Sequence, residues 1–157
     1  MQKIKRSLSV MLVLTVLFTT MVVTGSITTE AKVFKKTGEY STSLCTKKDK
    51  NDKYSSYAKK LVFKGKKFTL YGSMHYTKPG DVYSTKIYKP AKRTYIISKK
   101  CKFYKKTLKN GKWKVKKFTY KKFKKHVLPL EKGSFSTEQL AWVIKDGKVT
   151  ELFTYGG

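Results

Sequence analysis

The residue types that most often carry out catalysis are few in this sequence and form no recognisable set. Its 157 residues include only two histidines, His75 and His126, and no grouping of His and Cys has the spacing of a metal site. The acidic residues after position 31 are scattered over predicted loops and turns, and no two of them read as a glycosidase pair. No serine occupies a G-x-S-x-G elbow, and no glycine-rich loop suits a phosphate. The sequence therefore predicts a protein without catalytic activity, cofactor or metal ion.

Lysine alternates with aromatic residues in three neighbouring segments, which are the best candidates for a binding surface. They read KKCKFYKK over 99–106, KWKVKKF over 112–118 and TYKKFKK over 119–125. Such lysines can follow the backbone of an anionic polymer while the rings stack on bases or sugars. The alternative is ordinary strand alternation, in which rings face the core and lysines face water. The candidate polyanion-binding residues are Lys102, Lys112, Lys114, Lys116, Lys121, Lys124, Tyr104 and Trp113.

The net positive charge is large, and almost all of it comes from lysine side chains. The formal charge is +28, and only Arg6 and Arg93 among the 37 basic residues are arginine. Arginine suits bidentate recognition of phosphate or guanine, whereas the lysine ammonium is a hydrated point charge. The composition therefore favours diffuse attraction to teichoic acid, acidic polysaccharide or nucleic acid over base-specific recognition. A lysine-rich surface that only keeps the protein soluble is the alternative.

Residues 1–31 have the pattern of a signal peptide. Three basic residues precede an apolar run from Leu8 to Val23, and small residues follow. The run is about 16 residues long, which is shorter than the roughly 20 residues that span a bilayer. We predict cleavage after Ala31 or after Gly25, with no membrane span left in the mature chain. The protein is then secreted, with association to the cell wall as one destination, and the composition indicates a Gram-positive source.

Two cysteines remain after the predicted cleavage, Cys45 and Cys101. An even number of cysteines in an exported protein permits disulfide formation, and two cysteines allow one pairing. Closing that loop of roughly 57 residues would contribute up to about 4 kcal/mol on the chain-entropy model. The alternative is a pair of buried, unpaired thiols.

Turn residues and alternating apolar residues predict a small β-barrel domain over residues 61–157, preceded by a polar loop or arm over 32–60. After a turn at Gly65, every second residue from Phe68 to Tyr76 is placed on one face. Gly72 lies within that face, where it predicts a bulge or a bend.

Further strands are predicted on both sides of two hairpin turns, Asn110-Gly111 and Asp146-Gly147, because such dipeptides favour type I′ turns. Residues 86–97 are also extended, with an interruption near Pro90. Folding the last hairpin about its turn gives three predicted pairs: Ile144 with Val149, Trp142 with Glu151 and Leu140 with Phe153. Glu151 is then a misfit on an otherwise apolar face.

A short helix is predicted after the third strand segment. Tyr120, Phe123 and Val127 recur at helical spacing, with Thr119 placed to cap the helix and Pro129 to stop it. The remaining helix surface is lysine, so the apolar side is expected to pack against the barrel.

Five strands with a helix between the third and the fourth resemble the oligonucleotide/oligosaccharide-binding (OB) barrel, over roughly residues 61–155. The main alternative is a small β-sandwich.

The chain also resembles the thermonuclease family in size, charge and coarse element order. That resemblance implies two phosphate-binding arginines, which a mature chain with Arg93 alone does not supply. We therefore expect a secreted, non-catalytic domain that binds an anionic polymer of the wall or the extracellular space. The alternatives are a nucleic-acid-binding barrel and a protein-interaction or inhibitor domain.

Overall fold

The computed structural model describes residues 33–156, which form seven β-strands and one α-helix. The predicted signal peptide lies outside the described residues. The strands are β1 (Gly38–Ser43), β2 (Ala58–Lys64), β3 (Lys67–Thr77), β4 (Lys86–Lys109), β5 (Lys112–Phe118), β6 (Glu138–Lys145) and β7 (Lys148–Gly156). The helix, α1 (Tyr120–Val127), lies between β5 and β6. The protein is mainly β with one short helix, as the sequence predicted.

Five of the strands close a ring of pairings within a single sheet. β1 pairs with β3 and β6, β6 pairs with β7, β7 pairs with β4, and β4 returns to β3. The β4–β7 pair is parallel and the others are antiparallel. β2 extends the sheet beside β3, and β5 extends it beside β4. The helix lies before the last hairpin, as predicted, but the sheet has seven strands where five were predicted, and β1, the first strand of the ring, lies outside the predicted domain of residues 61–157.

Strand β1 lies within the segment that was predicted to be a polar loop or arm, so that prediction is wrong for residues 38–43. Its sequence, GEYSTS, has one large apolar residue, Tyr40, which is buried together with Thr42. The Thr42 hydroxyl donates a hydrogen bond to the carbonyl of Ser73 at 2.9 Å, which satisfies it inside the core. β1 is a central strand, because both of its edges are paired.

The carboxy-terminal hairpin turns at Asp146-Gly147, as predicted. Both residues have positive φ, 49° and 71°, which is the geometry of a type I′ turn. The Asn110-Gly111 turn between β4 and β5 has the same geometry, with φ of 53° and 70°. The predicted pairing of Ile144 with Val149 is confirmed.

The rest of the last hairpin is shifted by one residue. The pairing jumps from Val149 to Glu151, so Thr150 forms a bulge in β7. Because a shift of one residue exchanges the faces of a strand, Glu151 lies opposite Val143 and points away from the core. The predicted pairs Trp142–Glu151 and Leu140–Phe153 are therefore wrong, and the observed pairs are Trp142–Leu152 and Leu140–Thr154.

Strand β4 runs without a break through Pro90, where an interruption was predicted. Lys89 and Pro90 together lie opposite Ser73, so the strand bulges there and the proline has no partner in the ladder. Gly72, beside this bulge, confirms the predicted irregularity. A Cβ at Gly72 would collide with the carbonyl oxygen of Tyr57.

Helix α1 begins and ends where the sequence predicted. The hydroxyl of Thr119 accepts a hydrogen bond from the backbone N–H of Lys122 at 3.3 Å, and the last helical residue lies two positions before Pro129. Phe123 and Val127 are buried in the hydrophobic core, so the apolar side of the helix packs as expected.

Candidate binding surfaces

The register of the β4–β5 hairpin gives it two distinct sides. Phe103 pairs with Phe118, and both rings contact Phe123 of α1, so this side of the hairpin faces the helix. Side chains alternate along a strand and directly paired residues share a side. Residues 105, 107 and 109 of β4 and 112, 114 and 116 of β5 therefore lie on the helix side. Residues 104, 106 and 108 and 113, 115 and 117 lie on the opposite, outer side.

The helix side of the hairpin is dominated by lysine. Lys105 lies directly opposite Lys116, Lys109 opposite Lys112, and Thr107 opposite Lys114. Like charges in such positions repel one another and destabilise a sheet. We call this surface the lysine face: Lys105, Lys109, Lys112, Lys114 and Lys116.

Helix α1 continues the basic surface directly after β5. Its lysines, including the predicted Lys121 and Lys124, are exposed, and its first turn contains no acidic residue. Lys121 and Lys122 therefore stand close to the positive end of the helix dipole, where an anion would be more favourable.

One carboxylate, Glu138 of β6, reaches the base of the lysine face. It forms an ion pair with Lys105, and the Nε2 of His126 lies 3.0 Å from a Glu138 oxygen. The same His126 nitrogen lies 3.1 Å from the hydroxyl of the buried Thr154. The group is only partly buried, and it ties α1, β4, β6 and β7 together at this end of the ring.

The charge environment of His126 favours its neutral form. Burial lowers the pKa of His126, and the positive charges of Lys105 and Lys116 lower it further. Glu138 attracts the imidazolium, but that carboxylate is shared with Lys105, so its effect on the pKa is offset. The pKa of His126 therefore depends on the charge of the lysine face.

The outer side of the same hairpin contributes to a groove with an aromatic floor. Tyr104 stacks on Phe153 of β7 with ring centroids 4.8 Å apart and planes 4° apart, and Tyr155 lies beside Phe153 at 6.2 Å. One wall is the tip of the hairpin, and Val82 of the β3–β4 loop lines the same cavity, whose volume is about 620 Å³. We call this cavity the outer groove: Glu39, Lys106, Trp113, Val115, Phe153 and Tyr155.

The charges around Tyr104 and Phe153 are paired or lie over rings. The Lys106 ammonium is 4.4 Å from the centroid of Phe153 and 5.6 Å from that of Tyr104. The Tyr104 hydroxyl donates to Glu151 at 2.5 Å, and Lys102 lies 4.0 Å from the same carboxylate. Burial and the Glu151 carboxylate raise the pKa of Tyr104, so its hydroxyl stays protonated and keeps this bond.

The predicted binding residues are divided between the two surfaces. Lys112, Lys114 and Lys116 belong to the lysine face, with Lys121 and Lys124 on the helix that follows it. Lys102, Tyr104 and Trp113 lie on the outer side. A single polymer strand lying on one side of the hairpin therefore contacts either the lysine series or the predicted stacking rings.

Cys45 and Cys101 are free thiols in the structure, so the predicted disulfide is not formed. β1, which ends two residues before Cys45, is separated from β4 by β3 on one side and by β6 and β7 on the other. Adjacent strands are about 4.8 Å apart, whereas a disulfide needs Cα atoms within about 7 Å. Burial raises the pKa of Cys45, and burial with the nearby Glu151 raises the pKa of Cys101 to about 12. Neither thiol is a ready nucleophile.

Within residues 33–156, no cluster of three His, Cys, Asp or Glu side chains could hold a metal ion. In the same range, no helix has both the length and the apolar character that a membrane crossing requires.

Several residues of these surfaces were not among the predicted binding residues, and they include Glu39, Glu138 and Phe153. Each of these three is brought to its surface by pairing between strands far apart in the chain, so no local pattern marks it. The alternation of KWKVKK does place Trp113 and Val115 on the side opposite to the lysines, and this signal separates the two surfaces.

Neither a protein-family model, nor a curated protein, nor a solved structure matches this chain.

Proposed function

We propose that this protein is a non-catalytic binding domain that acts outside the producing cell and holds an anionic polymer of the cell wall or extracellular space against its lysine face. The observation that carries the proposal is the cross-strand register of the lysines. Two pairs of like charges stand directly opposite each other, and the carboxylate of Glu138 contacts only Lys105 among these five lysines. A bound polyanion would relieve that repulsion.

The geometry of β5 supports a linear ligand. Lys112, Lys114 and Lys116 follow one another at every second residue, so successive Cα atoms are about 6.8 Å apart along the strand. All three are exposed, and the lysines of α1 extend the series beyond the end of β5. A row of evenly spaced ammonium groups suits a chain with regularly repeated phosphates or carboxylates.

Arginine plays no part in this surface, which argues for recognition of charge rather than of bases. Arg93, the single arginine among the described residues, donates to the carbonyls of Gly72 and Lys89 at 3.2 and 2.8 Å. Its guanidinium therefore has a structural partner within the sheet. Lysine contacts distinguish anionic polymers by spacing and charge density and not by base identity.

Nucleic acid is the second candidate and is less favoured by the geometry. Proteins that bind single strands combine a basic track with rings on which successive bases stack. Here Tyr104 and Trp113 lie on the side of the hairpin opposite to Lys112, Lys114 and Lys116. Phe118, which shares the lysine side, is packed against α1.

Calorimetric titration of the purified protein with glycerol-phosphate teichoic acid and with a single-stranded oligo-dT tests the proposal. Binding through five lysines should weaken with salt at a log–log slope of about −3.5. We expect the triple variant Lys112→Glu, Lys114→Glu, Lys116→Glu to weaken teichoic acid binding at least tenfold. The matched control is Lys59→Glu, Lys60→Glu, Lys64→Glu, which makes the same charge change on β2 and should weaken binding less than threefold.

Three results would contradict the proposal. Equal weakening by both triple variants would mean that only the net charge matters and that the lysines are a solubility coat. Tighter binding of oligo-dT than of teichoic acid would favour the nucleic-acid alternative. Binding of neither polymer at physiological salt would favour a protein partner.

Export belongs to the same proposal and has its own test. The predicted cleavage sites leave a mature protein that begins at Lys32 or at Ser26. We expect amino-terminal sequencing of protein recovered from the culture medium to find one of these residues. Retention of the complete chain inside the cell would contradict this part of the proposal.

A further inference from the structure

The outer groove continues beyond the cavity that defines it. A cavity of about 500 Å³ beside it shares Lys106 and Val115 with the groove and is also lined by Tyr104 and Glu151. A third cavity, of about 410 Å³, shares Glu39 and is lined by the β3–β4 and β6–β7 turns. Each has the size of an ordinary ligand pocket, and shared lining residues link the three into one track across the outer face of β5, β4, β7, β6 and β1.

One exposed ring, Trp113, and two exposed aliphatic side chains stand at the edge of this track. The Trp113 side chain is 57% exposed, and Val115 and Leu108 beside it are exposed to a similar extent. Tyr155 lies in the floor, two strands away from β5, and its hydroxyl donates to Gln139 at 2.6 Å. Large apolar side chains that face water in one contiguous place usually mark a binding site.

The charge of the outer groove differs from that of the lysine face. On the outer side the three lysines Lys102, Lys106 and Lys117 are accompanied by the carboxylates of Glu39 and Glu151. Glu39 is exposed and forms no ion pair with any described residue. Carboxylates repel a polyanion, but they accept hydrogen bonds from hydroxyl groups.

We propose that the outer groove binds an uncharged, hydroxyl-rich glycan, with Trp113 and Tyr155 stacking on pyranose rings and Glu39 accepting hydrogen bonds from sugar hydroxyls. The apolar C–H face of a pyranose ring packs against an aromatic side chain, while its hydroxyls need polar partners at the edge of the site. The groove offers both kinds of group within one track, together with the ammonium of Lys106 as a donor. This site lies on the opposite side of the β4–β5 hairpin from the lysine face, so it goes beyond the proposed function and does not depend on it.

The two tryptophans of the chain give the site an intrinsic probe. Trp142 is completely buried, whereas Trp113 is exposed in the groove, so a ligand there changes the fluorescence of Trp113 alone. We would titrate the purified protein with cellohexaose and with hexa-N-acetylchitohexaose and follow both emission and heat. We expect saturable binding of at least one of these probes, with an affinity unchanged between about 50 and 500 mM NaCl because no counterions are released.

Substitutions separate the groove from the rest of the surface. Trp113→Ala should weaken binding at least tenfold and Glu39→Gln several-fold, whereas Tyr54→Ala, at an exposed tyrosine outside the groove, should change it less than twofold. The triple glutamate variant of the lysine face should still bind the glycan, which distinguishes a failure of this site from a failure of the lysine face. Binding of neither probe overturns the proposal, and so does binding that Trp113→Ala leaves intact. A dimer seen by sedimentation and dissociated by Trp113→Ala would also overturn it, because the groove would then be an interface between two copies.

Discussion

Gly72 is a residue at which the backbone of the sheet comes very close to a neighbouring segment. A Cβ at this position would overlap the carbonyl oxygen of Tyr57, which is held in place because the backbone N–H of Ser73 donates to it at 3.1 Å. We expect Gly72→Ala to lower the free energy of unfolding by about 3 kcal/mol, since a backbone atom cannot rotate away as a side chain does. Urea denaturation measures this.

Gly65→Ala is the matched control for that substitution. A Cβ at Gly65 meets no atom, and only its left-handed φ of 55° carries a cost, which is about 1 kcal/mol. If the two variants proved equally stable, the close approach at Gly72 would not be a determinant of stability.

His126 allows the charge of the lysine face to be measured directly. Because burial, Lys105 and Lys116 lower the folded-state pKa of His126, the unfolded chain, with a pKa of about 6.5, binds the proton more tightly. Stability therefore falls as the pH drops below about 6.5, until the folded-state pKa is passed. We expect an NMR titration to place the pKa of His126 below 6.5 and Lys116→Gln to raise it.

His75 serves as the internal control in the same spectrum. Burial lowers the pKa of His75 as well, but this residue lies on β3, and Lys116 does not contribute to its shift. Its titration should not change in Lys116→Gln. Saturation with teichoic acid should raise the pKa of His126, and an unchanged value would argue against polymer bound near Lys105 and Lys116.

At the scale of elements, the stability of α1 depends on the cap at its amino-terminal end. Its first turn has no acidic side chain and two lysines, which oppose the helix dipole, so the bond from the Lys122 N–H to the Thr119 hydroxyl is the one side-chain contribution identified at that end. We expect Thr119→Ala to cost about 1 kcal/mol of stability in urea denaturation. Thr119→Ser keeps the acceptor and should cost less than half as much, and equal losses would mean that the cap is not the cause.

The elements also show what could be predicted from sequence. Each turn that needs a special backbone conformation has residues that fit it, so Asn110-Gly111 and Asp146-Gly147 were located correctly, as was Thr119. The bulge at Thr150 leaves no comparable mark, because Thr150 is a typical strand residue and only the placement of Glu151 away from the core reveals the extra residue. β1 was missed because its inward residues include Thr42, which is satisfied by a hydrogen bond to Ser73 that no local pattern announces.

The candidate surfaces could be predicted only in part from the sequence. The lysines of β5 are exposed as strand alternation predicts, and the alternation separates them from Trp113. The expectation that the intervening ring faces the core is wrong for Trp113, which is exposed as well. The acidic partners were not predictable, because Glu39 and Glu138 arrive on β1 and β6 through pairings across a long stretch of sequence. Two bulges in β4, at residues 89–90 and 98–101, further decide which side each of its residues occupies.

At the scale of the whole molecule, the charge is arranged so that lysines meet at the ends of hairpins. Lys64 pairs with Lys67, Lys109 with Lys112 and Lys145 with Lys148, so each of three hairpins closes with two like charges. With a formal charge of +28, such pairs have few carboxylates to balance them. We therefore expect the free energy of unfolding to rise with salt concentration, since screening weakens the repulsion in the folded state.

These pairs allow the effect of lysine repulsion on stability to be measured separately from the contribution of the lysine face to polymer binding. Lys112→Glu and Lys67→Glu each turn a repulsive cross-strand pair into an attractive one, and each should stabilise the protein by about 0.2–1 kcal/mol at low salt, less at high salt. Lys112 belongs to the lysine face and Lys67 does not, so only Lys112→Glu should also weaken teichoic acid binding. Because a polymer that binds the folded state stabilises it, the rise in melting temperature caused by teichoic acid should be smaller in this variant. Thermal denaturation with and without the polymer measures both quantities in one experiment. If the two variants bind the polymer equally well, the repulsion at Lys112 is not maintained for binding, and the lysines serve solubility alone.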